Sequence, residues 1–313
     1  MNAKRVLRGS GRHLLTVALL LAVGPAFGGS SAFAQCGEWE LVSPHPHGRD
    51  LAEVVFGGDR FVAVGYSVTQ TSLDGLSWDV VAHDGVHLNA VAWDGAAFVA
   101  VGDGGVILRS TDGQSWEQVP SPTTADLRGV AWGGGEYMAV GGEGVAIRST
   151  SGVAWEAVTL PAVQNLSGVT FGEGRFYLYG RSSIILEGSG SSWRSIGCPD
   201  STTISSAAIL GGRLLVVTYG SWGLLLRVFD GSAWSIPGGA PEYPQRIVRQ
   251  GAQLFAFVSR GYGPTAVYSS TDGSSWTREP GTGFDNGVLR SVAVGGGRAV
   301  AVGAAGAWLT RQE

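Results

Sequence analysis

LNAVAWDGAAFVAVGDGGVILRSTDGQSW (88–116) is answered by LRGVAWGGGEYMAVGGEGVAIRSTSGVAW (127–155), and the same phrase runs, with decay, from Leu51 to the C-terminus. Its closing tryptophans, Trp39, Trp78, Trp116, Trp155, Trp193, Trp234 and Trp276, fall 39, 38, 39, 38, 41 and 42 residues apart. A period of about 40 residues holding four short strands is that of a β-propeller blade. Within 88–116 an apolar strand ends at an Asp-Gly turn, and a second strand (97–101) runs into Gly-rich 102–105. A third strand covers 106–109, and Trp116 opens the fourth.

The second strand is apolar at consecutive positions wherever it recurs: FVAVG, YMAVG, FYLYG, LLVV, LFAFV. A strand with one wet face alternates polar and apolar residues, so these predict sheets covered on both faces, as between neighbouring blades. The last repeat, 289–313, supplies only three strands, and the missing fourth is read at 39–42, with Trp39 in the place of Trp116. The expectation is an all-β, seven-bladed propeller over 35–313, built of four-stranded antiparallel blades. Its N-terminal strand completes the last blade, and no further module is left over.

Residues 1–34 read as a secretory signal. Lys4, Arg5, Arg8 and Arg12 precede the apolar run 14–23, and Ala32-Phe33-Ala34 forms a cleavage site before Gln35. The run is shorter than the ~20 residues a membrane span needs. A mature chain from Gln35 is therefore expected to be secreted or periplasmic, with no membrane insertion. That mature chain has 17 arginines against 25 acids, net −8, and no lysine. Lysine-based covalent chemistry is excluded, and an anionic surface without a basic run is a poor match for nucleic acid. No cofactor motif is present. Cys36 and Cys198 are placed on opposite sides of the predicted ring, too far apart for a disulfide.

The turn between third and fourth strands reads SLDGLSW (72–78), STDGQSW (110–116), STSGVAW (149–155), EGSGSSW (187–193), VFDGSAW (228–234) and STDGSSW (270–276). Ser and Asp side chains satisfy turn amides, Gly takes a conformation other residues resist, and Trp docks between sheets. These turns are similar to the Asp-box of sialidase-like (BNR-like) propellers, one residue shorter between Asp and Gly. The resemblance covers essentially the whole mature chain and is closest in flavour to the photosystem II assembly-factor-like repeats. It implies a non-enzymatic protein binder. Against a sialidase, residues 35–71 hold no Phe/Tyr-Arg-Ile-Pro motif, and no three arginines form a readable carboxylate clamp.

Binding residues are expected on the face shared by the inter-blade loops and the turns between second and third strands. An aromatic patch there gathers Tyr219, Trp222, Tyr243, Arg260, Tyr262 and Phe284, residue types that protein and sugar surfaces use. Glu242 and Asp285, on adjacent loops, are the candidate pair for two-carboxylate glycoside hydrolysis, although a ring with 25 acids offers other such pairs. His45, His47, His83 and His87 lie in two consecutive loops and are the candidate metal ligands. The reading is a monomeric binding propeller for a protein partner, with a glycan as the alternative ligand and a glycosidase third.

Overall fold

A computed structural model of the chain describes residues 37–41, 49–161, 165–199, 203–221, 223–259, 265–282, 288–304 and 308–313. Among these there is no α-helix, only strands, turns and two short 3-10 segments. Blade three shows the plan: Leu127–Gly133, Glu136–Gly141, Ala146–Ser149 and Glu156–Ala157 pair in sequence order, all antiparallel. In blades one and two the strands run into one another. Arg60–Ser72 pairs by its first half with Leu51–Gly57 and by 68–71 with 79–82. The strand Asp79–Trp93 then continues through the inter-blade connection to pair by 88–93 with Phe98–Gly102.

The ring closes as the repeat predicts. Glu40–Leu41 pairs with Trp308–Gln312, Glu40 opposite Thr310, and so becomes the outer strand of the sheet holding Leu289–Gly295 and Arg298–Gly303. Seven apolar clusters among the described residues fill the gaps between neighbouring blades. One of them joins Leu51, Val54 and Phe61 of blade one to Ala293, Val300 and Val302 of blade seven. Each second strand is buried on both faces, Phe98–Gly102 throughout its length. A fully buried side chain of this size contributes about 1.5–3 kcal/mol. The fold is a seven-bladed propeller.

Two local devices recur. In blades one, two and six the third-to-fourth-strand turn has the geometry its sequence suggests. Ser110 Oγ donates to Asp112 Oδ1 (2.9 Å) and accepts from Gly113 N (2.8 Å), while Gln114 N and Ser115 N donate to Asp112 Oδ1. Gly113 sits at φ +71, and a Cβ there would lie 2.8 Å from Val62 Cγ2 of the preceding blade. Blades four and five depart from this pattern. EGSGSSW closes as a tight hairpin, Ser189 opposite Ser192. In VFDGSAW, Asp230 N bonds Ala233 O, and Trp234 Nε1 donates to Gly197 O rather than to the turn glycine. Neither has the serine whose hydroxyl organises the other turns.

The second device is a slip in the innermost ladder. In every blade the first strand shifts register between its first and third positions: Leu51/Glu53, Leu88/Ala90, Leu127/Gly129, Leu166/Gly168, Ile204/Ser206, Pro244/Arg246 and Leu289/Ser291. A bulge adds one residue and bends the strand. First strands of consecutive blades pack on one another around the axis.

Candidate recognition groove

Pro237 stands three residues after Trp234. In blades two, three, four and six the residue at that offset (Val119, Val158, Ile196, Glu279) donates its N–H to the third strand, at Ile107, Ala146, Ile185 and Val267, over 2.8–3.0 Å. Proline has no N–H to give. Blade five's outer strand, Trp234–Ser235, pairs opposite Phe229 and Val228, and no bond at Pro237 extends it along the third strand. The chain then turns away through Ala240 N to Pro237 O (3.0 Å). Among the described residues nothing pairs with the outer side of 223–227, the upper part of the strand Gly223–Phe229.

That edge floors a groove of about 310 Å³. Leu224, Leu225, Ile236, Pro237, Pro241, Glu242 and Tyr243 line it. Ile236 is 53% exposed and Tyr243 46%, although both are large and apolar. Tyr243 holds φ +57, so the loop presents it from a left-handed backbone position. Tyr219, 57% exposed, stands opposite Leu224 in the ladder. The structure thus brings Glu242 and Tyr243 of the predicted patch to this groove, with Tyr219 on the strand behind it, opposite Leu224. Trp222, Arg260, Tyr262, Phe284 and Asp285 lie outside the described residues, so the proposed Glu242–Asp285 pair has no described geometry.

Of the histidines, His45 and His47 also lie outside the described residues. His83 Nε2 is 3.0 Å from Thr69 Oγ1, and burial pushes its pKa down, toward the neutral ring. His87 Nδ1 meets Asp103 Oδ2 at 3.1 Å, and Asp103 Oδ1 accepts from Asn89 Nδ2. No three His, Cys, Asp or Glu side chains converge among the described residues. The His87 ring packs edge-on to Tyr66 at 5.4 Å. Tyr66, 55% exposed at the end of blade one's second strand, is a loop-face aromatic that the sequence reading missed. Its signal was present: Tyr66 directly follows the glycine that ends FVAVG. Cys198 is buried, and Cys36 lies outside the described residues.

The fold resembles that of YCF48. YCF48 from Cyanidioschyzon merolae superposes with a TM-score of 0.68 at 19% identity, over 88% of this chain and 98% of that one. A structure of YCF48 bound to a D1 peptide gives 0.67 at 18%, over 88% and 96%. Virginiamycin B lyase from Staphylococcus aureus, solved as an inactive variant with quinupristin, gives 0.67 at 12%, over 88% and 99%. Neither a protein-family profile nor a curated protein sequence matches the chain. A peptide-bound protein and an enzyme share this ring, so the shape establishes architecture, and function has to be argued from the site.

Proposed function

We propose that this chain is an exported, non-enzymatic propeller of the Asp-box type that binds an extended segment of a protein partner at the loop-face end of blade five. The observation that carries the reading is the open edge at 223–227, which leaves backbone donors and acceptors beside an apolar groove. An extended peptide satisfies such an edge by adding a strand, with main-chain bonds for affinity and alternate side chains in the groove for specificity. Tyr243 supplies large, rigid contact area in the groove. The likeness in shape to a propeller whose structure holds a peptide is in keeping with this. The box-like turns of blades one, two and six support the family assignment, and 1–34 supports export.

Panning a random-peptide display library on residues 35–313, with Leu225→Arg and Tyr243→Ala variants alongside, tests the site. Peptides retained by the wild type, lost by both variants, and slowing amide exchange at 223–227 are expected. Peptides that protect another face overturn the groove, and retention of oligosaccharides in place of peptides puts a glycan in the partner's position. Terminal sequencing of the exported protein is expected to begin at Gln35; an intact 1–34 overturns the export reading.

A further inference from the structure

The seven structurally equivalent third positions of the innermost strands are Glu53, Ala90, Gly129, Gly168, Ser206, Arg246 and Ser291. Five are small and uncharged, one is a carboxylate and one a guanidinium. Glu53 and Arg246 line a cavity of about 400 Å³ among the innermost strands, which runs from their level to exposed Arg249 and Gly251 at a hairpin turn. This size is within the range of small-molecule sites.

The two charges do not consume one another. Among the described residues no ion pair joins them. Among the described residues the Arg246 guanidinium makes one long hydrogen bond, to Ala52 O at 3.4 Å, of the five its N–H donors can make. Glu53 Oε2 accepts from Val91 N at 3.0 Å, its one hydrogen bond among the described residues. Burial raises the Glu53 carboxyl above its usual range, opposed by the charge of Arg246 and the Val91 N–H. Tyr179 adds a buried phenol near both charges. Its hydroxyl fits there because Gly168 lacks a side chain: a Cβ on Gly168 would lie 2.4 Å from it. The serines have other work: Ser206 Oγ donates to Ile247 O and accepts from Ile247 N, tying blade five to blade six.

A simple anion on Arg246 would face Glu53, and a simple cation on Glu53 would face Arg246. A molecule carrying both charges complements the pair; Val130, Val169, Phe171 and Ile247 add an apolar stretch to a wall that also presents Thr170, Ser206, Gln250, Ser291 and, at its outer end, Arg249. We propose that the axial cavity binds a small zwitterion, the chemical class of the α-amino acids, its carboxylate on Arg246 and its ammonium on Glu53. A guanidinium fork matches a carboxylate in two parallel hydrogen bonds. The site is independent of the blade-five groove.

Calorimetric titration of residues 35–313 with L-leucine and L-phenylalanine, beside their amides and their N-acetyl derivatives, tests this on the unaltered protein. Binding of the zwitterions and at least about tenfold weaker binding of both blocked forms is expected. Equal binding of an N-acetyl derivative, or no zwitterion bound at millimolar concentration, overturns the proposal. Arg246→Gln and Glu53→Gln, checked for fold by circular dichroism, are each expected to abolish the preference for the form carrying the matching charge; an unchanged preference counts against the assignment.

Discussion

The guanidinium of Arg311 lies 5.1 Å over the ring of Trp39, joining the last strand of the chain to the first described one. Both residues are almost fully buried. Arg311 also ion-pairs with Glu279 of blade six and Glu313, and Trp39 packs edge-on to Phe255 at 6.5 Å. The seam where the ring is closed by pairing rather than by chain continuity therefore carries a charged and aromatic clasp.

Removing Arg311 leaves Glu279 buried without its counter-ion. Arg311→Ala is expected to destabilise by about 3–5 kcal/mol. Trp39→Ala is expected to cost about 3–5 kcal/mol through the cavity it leaves. Denaturant unfolding of both single variants and the double variant checks this. A double-variant loss smaller than the sum of the singles is expected, because each residue contacts the other.

Gly113 and Gly104 both have positive φ, +71 and +65, but only Gly113 faces a neighbouring blade across its missing Cβ. Gly104→Ala is expected to cost about 1–2 kcal/mol, the left-handed penalty alone. Gly113→Ala adds the collision with Val62, raising the loss by about 1–3 kcal/mol. Equal losses in thermal melts would remove the inter-blade contact from the explanation.

Asp112 and Asp272 are each held at about 2, against an ordinary 3.8, by turn amides donating to their carboxylates: Ser115 and Gln114 to the first, Ser275 and Ser274 to the second. Asp74 is lowered for the same reason, by the amides of Ser77 and Leu76. Because the folded values lie below the unfolded one, these turns contribute stability that is present above pH 3.8 and lost as pH falls through about 2. Melting temperature is expected to fall across that window, and Asp112→Asn to flatten the fall. These groups leave stability unchanged between neutral pH and about 5.

Gln70 is fully buried, and neither end of its amide has a hydrogen-bond partner among the described residues. It stands four residues before Asp74, where the next two repeats carry buried Leu108 and Ile147. Gln70→Leu is expected to stabilise by about 1–3 kcal/mol, the cost of an unsatisfied buried amide. A lower midpoint in urea would show that the amide has a partner when the protein is in solution.

Blade number, strand order and the joining of Trp39's strand to the last repeat were legible because each follows from local pattern: a fixed period, doubly apolar second strands, glycine at the turns. The turn sequences of blades four and five look like the others, yet they close differently. The bond from the turn-glycine N–H to a serine hydroxyl is lost without the serine at the head of the turn, although Asp230 in blade five still accepts from Ser232 N and Ala233 N. Of the recognition patch, Tyr219 and Tyr243 were readable as loop aromatics. The open edge beside them was written in Pro237, but it acquires meaning only against the N–H that four other blades donate at that position. Glu53 and Arg246 were not legible as a pair. They are 193 residues apart in the chain, and only the closed ring, with its repeated bulge in the innermost strands, sets both on one cavity. A single sequence reports what each blade does alone; which residues of different blades share a space is decided when the seven innermost strands meet.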